Sequence, residues 1–153
     1  MAESVLNSAT IVRALHSAFT RDAGRRGLLE LAARRIREAG APFTSVYLYM
    51  LHGSELALEA FDGRETEHTR IPVGVGLCGR AVAEARDINE PDVTAAPGYL
   101  ACNLDTRSEL IVLIRLGETI LGQIDVDSDV PAGFTSADEA AVKEVADALA
   151  VLL

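Results

Sequence analysis

The chain of 153 residues has no tryptophan, only two cysteines, and too little positive charge to balance its acids, with 14 Lys+Arg against 23 Asp+Glu. Each shortage excludes something. Two cysteines build neither a disulfide framework nor a complete cysteine metal site, which leaves redox or nucleophilic chemistry as their possible uses. A formal net charge of −9 argues against a phosphate backbone as main partner, because nonspecific nucleic-acid binding rests on Lys and Arg neutralising phosphates. No run of 18 apolar residues is present to cross a bilayer, and Met1 to Asn7 lacks the basic and apolar layout of a secretory signal. The expectation is a cytoplasmic protein with no nucleic-acid or membrane partner. The Gly74-x-Gly76 segment lacks the Lys-Ser/Thr ending of a phosphate loop and reads as a turn device. His68 reads as an exposed strand histidine with no ligand pattern around it, so neither a metal nor a cofactor is expected.

What is there suits one globular domain over residues 1–153, with 49% hydrophobic and 24% charged residues. Ile11, Leu15 and Phe19 recur at spacing four, and Leu28, Leu31 and Ile36 continue the pattern, which predicts two helices within residues 9 to 39 broken near Asp22 to Gly27. Ser45 to Leu51 and Glu55 to Phe61 flank His52-Gly53-Ser54 and predict a hairpin. A third short strand is expected at Thr66 to Val73, a short helix at Gly79 to Ala85, and an irregular loop at Ile88 to Cys102. Glu109 to Leu116 is nearly continuous apolar, as for a central strand covered on both faces, and Thr119 to Asp127 follows across Gly117-Glu118. Ser136 with Glu139 offers a capping box for a last helix striped by Ala141, Val145, Ala148 and Leu152. The order predicts an α+β fold on an antiparallel sheet.

That order, with IPVGVGLCGRAVAEARDINEPDVTAAPGY (Ile71 to Tyr99) and SELIVLIRLGETILGQIDVDSD (Ser108 to Asp129), resembles a GAF domain over almost the whole chain. The resemblance implies terminal helices on one side of the sheet and a short helix with loops over the other. Gly98-Tyr99-Leu100-Ala101-Cys102-Asn103, the following Arg107-Ser108-Glu109, and Asp125-Val126-Asp127-Ser128 resemble more narrowly the free methionine-(R)-sulfoxide reductases, GAF-fold enzymes acting on the free amino acid. The resemblance implies that Cys102 attacks the sulfoxide and that Cys78 is a second active-site thiol. It further implies that Tyr47, Glu109, Asp125 and Asp127 hold the substrate and that Phe43, where a tryptophan is usual, covers it. Thioredoxin or a small thiol is the implied reductant, and amphipathic terminal helices, as in other GAF domains, imply a homodimer. His68 stands where the family's usual resolving cysteine falls.

Sulfoxide reduction needs a thiolate to attack sulfur and an acid to receive the oxygen, because oxide is a poor leaving group. Asp125 and Asp127, two apart on a strand, share a face. Glu109 joins them only with the right parity: a two-residue turn at Gly117-Glu118 pairs it with Val126, whereas a three-residue loop or a bulge pairs it with Asp127. Other readings stand beside these. Cys78 is equally a buried apolar filler, Asp125 and Asp127 are equally strand-end residues with Asp127 capping the following loop, and Tyr47 equally packs on the sheet. Arg107 is a candidate to offset the negative field around Cys102. The alternative function is a noncatalytic GAF module that binds a small ligand.

Overall fold

The computed structural model describes residues 3–100 and 104–153. Helix α1 (Ser8–Thr20) begins where the Asn7 side chain accepts a hydrogen bond from the Thr10 amide at 3.1 Å, and it buries Ile11 and Leu15. After a break at residues 21–24, α2 (Arg25–Glu38) buries Leu28, Leu29, Ala32, Ala33 and Ile36. The hairpin forms from β1 (Ser45–His52) and β2 (Glu55–Asp62), followed by β3 (Arg70–Pro72), α3 (Gly76–Glu84) and β4 (Ile88–Glu90). A 3-10 turn at Val93–Ala95, the long pair β5 (Ser108–Leu116) and β6 (Thr119–Ser128), and α4 (Ser136–Leu152) complete the chain.

The six strands make one antiparallel sheet in the order β3-β2-β1-β6-β5-β4. On one face, Val46, Leu48 and Met50 of β1, Leu110, Val112 and Ile114 of β5, and Ile124 and Val126 of β6 pack against α1, α2 and α4. Burying each such side chain contributes roughly 1.5–3 kcal/mol relative to leaving it in water. The opposite face carries Tyr47, Tyr49, Ile111 and Leu113, roofed by α3 and the segment around Val93. Helices therefore flank one side and a short helix with loops the other, as the resemblance implies.

Several boundaries differ from expectation. The third strand is only three residues long, and α3 starts three residues before Gly79, because the extended Val75 provides the first carbonyl, accepting from the Gly79 amide at 3.0 Å. Ile88 to Glu90 forms a sixth strand by pairing with Ile111 to Glu109, inside the stretch expected to be irregular. The capping box of α4 uses Thr135 and Asp138, with bonds of 3.2 and 2.9 Å, because Ser136 is already helical. Glu139 instead accepts from the Asn89 side-chain amide at 2.6 Å. His68 lies in the loop before β3, half-buried, and its carbonyl accepts from the Tyr49 hydroxyl at 2.6 Å.

Candidate active site

The site begins with a register choice. The turn between β5 and β6 is the two-residue kind, Leu116 opposite Thr119 and Arg115 opposite Ile120, which alone would pair Glu109 with Val126. Leu121 is then left without an opposite residue, and from Ile114 opposite Gly122 onward the register is shifted by one. The bulge pairs Glu109 with Asp127 and Ile111 with Asp125. Gly122 is needed here, since a Cβ on it would lie 2.3 Å from the Tyr49 carbonyl oxygen on β1. On its other edge β6 pairs Asp125 with Tyr47 and Asp127 with Ser45. Ser45, Tyr47, Glu109, Gln123, Asp125 and Asp127 consequently share the face beneath α3.

Helix α3 brings Cys78 onto these acids. Its third residue is Cys78, with Sγ 3.3 Å from Asp125 Oδ2 and 3.8 Å from Glu109 Oε2. The helix is pinned by Gln123, whose Nε2 donates to the Cys78 carbonyl at 3.0 Å. Close approach of α3 to β3 requires Gly79, where a Cβ would sit 2.5 Å from the Pro72 carbonyl oxygen. Glu109, Asp125 and Asp127 are 3%, 0% and 2% exposed, so three carboxyl groups share a nearly dry space. Burial pushes the Asp125 carboxyl above its ordinary range, against the opposing effect of hydrogen bonds from Glu109 and Cys78. Asp127 is held well above the usual carboxylate range, first by burial and then by the charge of Asp125, with the Thr106 hydroxyl, 3.4 Å from Oδ2, working the other way. Among the described residues, Oδ1 of Asp125 and Oδ1 of Asp127 have no hydrogen-bond partner. Buried carboxyl oxygens left in this state cost stability unless a proton or a cation compensates.

A cavity of about 10 Å³ opens beside Cys78 and Glu109, walled by Ile71, Leu77, Tyr99 and Leu100. That is room for about one water molecule. Leu100 packs against Gly76, whose Cβ, if present, would meet Leu100 Cγ at 3.1 Å. At the rim, Arg64 grips Asp129 through two bonds of 2.7 and 2.6 Å, and its carbonyl accepts from the Tyr47 hydroxyl at 2.7 Å.

Five of the seven residues singled out from sequence thus converge: Cys78, Glu109, Asp125 and Asp127, with Tyr47 in the row of Asp125. Tyr47 is fully buried, stacks on Phe61 at 6.1 Å between ring centroids, and has its hydroxyl engaged by Arg64. Asp127 does not cap the loop that follows it; Ser128 and Ser108 hold that loop through the Val130 and Gly133 backbone. Cys102 lies outside the described residues. Phe43 is a correction: it is 2% exposed on the helical side of the sheet, its ring 5.7 Å from that of Phe134, because the chain entering β1 turns it toward α4 rather than α3. Arg107 spends its guanidinium on the carbonyls of Leu104 and Thr106 at 3.0 and 3.3 Å. Sequence reasoning missed Gln123, Thr106, Arg64 and Asp129. The one signal available was Gln123, which shares the parity of the two aspartates on a strand otherwise apolar at its centre.

The GAF domain model matches residues 25–153. The free methionine-R-sulfoxide reductase of Escherichia coli (strain K12) is 35% identical over 97 residues, 63% of this chain and 58% of the relative. The chain therefore spans somewhat over half the length of the curated relatives it matches. The solved structure of a type II free methionine-R-sulfoxide reductase from Thermoplasma acidophilum superposes with a TM-score of 0.80 at 39% identity, covering 84% of this chain and 91% of that one. The enzyme from Neisseria meningitidis, solved in complex with its substrate, gives a TM-score of 0.87 at 28% identity over 99% of this chain and 91% of that one. No helix among the described residues is long and apolar enough to cross a membrane. With its fold, its matched span and these relatives in agreement, the chain belongs to the GAF domain family.

Proposed function

We propose that this protein reduces free methionine-(R)-sulfoxide to methionine, with Cys102 as nucleophile. The observation that carries the reading is the convergence of Cys78, Glu109, Asp125 and Asp127, the acids brought to one face by the bulge in β6. An ammonium group entering beside these acids relieves the cost of burying them. The apolar walls from Ile71, Leu77 and Leu100 suit a thioether chain. Entry of a whole amino acid requires those walls to part, since the cavity of about 10 Å³ admits only water.

In the reaction the Cys102 thiolate attacks the substrate sulfur while a carboxylic acid of the buried set gives its proton to the sulfoxide oxygen. The sulfur–oxygen bond breaks, the oxygen passes with the proton to Cys102 as a sulfenic acid, and methionine leaves with its sulfur reduced by two electrons. Cys78 then condenses with the sulfenic acid, forming a disulfide and releasing water, and thioredoxin or a small thiol reduces that disulfide by exchange. Leu100, two positions before Cys102, lines the same cavity as Cys78, which supports this pairing. A cytoplasmic location suits the need for a steady reductant, and a homodimer through the terminal helices completes the reading.

Purified protein with dithiothreitol and each free sulfoxide epimer tests the proposal. Methionine forms from the R epimer only, and Cys102→Ser abolishes it. Absence of turnover in the reduced wild type would instead favour a noncatalytic ligand-binding module, whereas turnover that survives Cys102→Ser would remove Cys102 as the nucleophile.

A further inference from the structure

The buried thiol and acids of α3, β5 and β6 have a second chemical capability. Cys78 Sγ, a Glu109 carboxylate oxygen and an Asp125 carboxylate oxygen all lie within 4.8 Å of one another. For a tetrahedral zinc ion, with sulfur at about 2.3 Å and carboxylate oxygen at about 2.0–2.2 Å, ligand sulfur and oxygen stand about 3.6 Å apart. The two sulfur–oxygen separations here, 3.3 Å to Asp125 and 3.8 Å to Glu109, bracket that spacing. An independent observation points the same way: Asp125 is wholly buried, and its Oδ1 has no partner among the described residues. The cavity beside Cys78 and Glu109 holds about one water, which suits the fourth position of a three-ligand ion. A thiolate with two carboxylates also selects a borderline-soft divalent ion over magnesium or calcium, which prefer oxygen ligands alone.

We propose that Cys78, Glu109 and Asp125 form a binding site for a borderline-soft divalent cation of the zinc class. The ion replaces the protons that otherwise hold these groups together, and it binds at the position the substrate's ammonium requires. Its effect on turnover rests on the reductase reading: zinc competes with the sulfoxide and withdraws Cys78 from disulfide formation. The site itself rests on geometry alone.

Cobalt(II), a spectroscopic stand-in for zinc, tests this on the reduced, chelator-treated full chain. One equivalent produces a thiolate-to-cobalt charge-transfer band, and zinc displaces it. Cys78→Ser removes the band, Cys102→Ser keeps it, and Asp125→Asn, which leaves the thiol in place, weakens cobalt binding by at least about tenfold. Unfolding curves of each variant show that the fold survives. No band in the wild type, a band that survives Cys78→Ser, or one lost only with Cys102→Ser overturns the proposal. A parallel assay measures methionine formation with and without zinc, in a phosphine reductant that does not bind the metal. Inhibition that a chelator reverses is expected. A cobalt band without any turnover overturns the reductase reading and leaves the site standing; turnover without a band does the reverse.

Discussion

The two faces of the central strands are equally buried and chemically opposite. On the helical face β1, β5 and β6 present Val46, Leu48, Leu110, Val112, Ile124 and Val126; one residue along, toward α3, they present Tyr47, Glu109, Asp125 and Asp127. Neither set sees water. Identical burial therefore contributes stability on one face and costs it on the other, and a sheet retains such a cost only where the polar groups have a use. The bulge at Leu121 keeps the sets apart, because a one-residue slip exchanges every side chain between faces.

Removing that bulge is the strongest way to break the comparison. Deleting Leu121 leaves a regular two-residue hairpin whose register either turns Glu109 away from Asp127 or sends both aspartates into the helical core. We expect no cooperative thermal transition, read by circular dichroism. Next in size, Ile124→Ala on the helical face should lower the free energy of unfolding by about 2–5 kcal/mol in urea, as for other large-to-small changes in a packed core. Asp127→Asn, on the other face, should leave the urea midpoint no lower than that of the wild type, because a buried acid without a partner on Oδ1 has been exchanged for a neutral amide. On the reductase reading, methionine formation should nevertheless fall by roughly 100-fold or more, the usual size of a lost proton donor or substrate anchor. A large loss of stability in Asp127→Asn would show that the carboxyl is structural.

The same contrast decides what could be read from sequence. Both long hairpins follow from runs of strand-forming and apolar residues flanking short turns, the terminal helices from a spacing near 3.6, and the shared face of Asp125 and Asp127 from the strand period of two. Glu109 was legible only as a choice between two parities, since a bulge leaves no mark in an apolar run except a glycine such as Gly122. Strand β4 has three residues before Pro91 and exists because β5 offers it an edge, a tertiary fact that no local pattern announces. Phe43 shows the opposite failure: family position suggested a lid, but its ring fits the space beside Phe134 on the helical side. Gln123 was missed because its bond goes to a backbone carbonyl on α3, 45 residues away in sequence.

The smallest expected effect lies at the rim, where acids meet water again. Arg64 holds Asp129 below the usual carboxylate range through their hydrogen bonds, the reverse of the upward push that burial gives Asp127. A carboxyl lowered on folding stabilises the protein fully above its unfolded value, and that contribution is lost as pH falls through the folded value. Both partners are over a third exposed, so solvent screening limits the pair to about 1 kcal/mol or less. Arg64→Met should lower stability slightly at neutral pH, and the deficit relative to wild type should shrink as the pH is taken below the carboxylate range. The Tyr47 hydroxyl bonds the Arg64 carbonyl rather than the guanidinium, so the loop should keep its place over the site in this variant. A deficit that stays constant with pH would mean that Arg64 acts by packing its stem, and the rim would then resemble the helical face more than the acidic one.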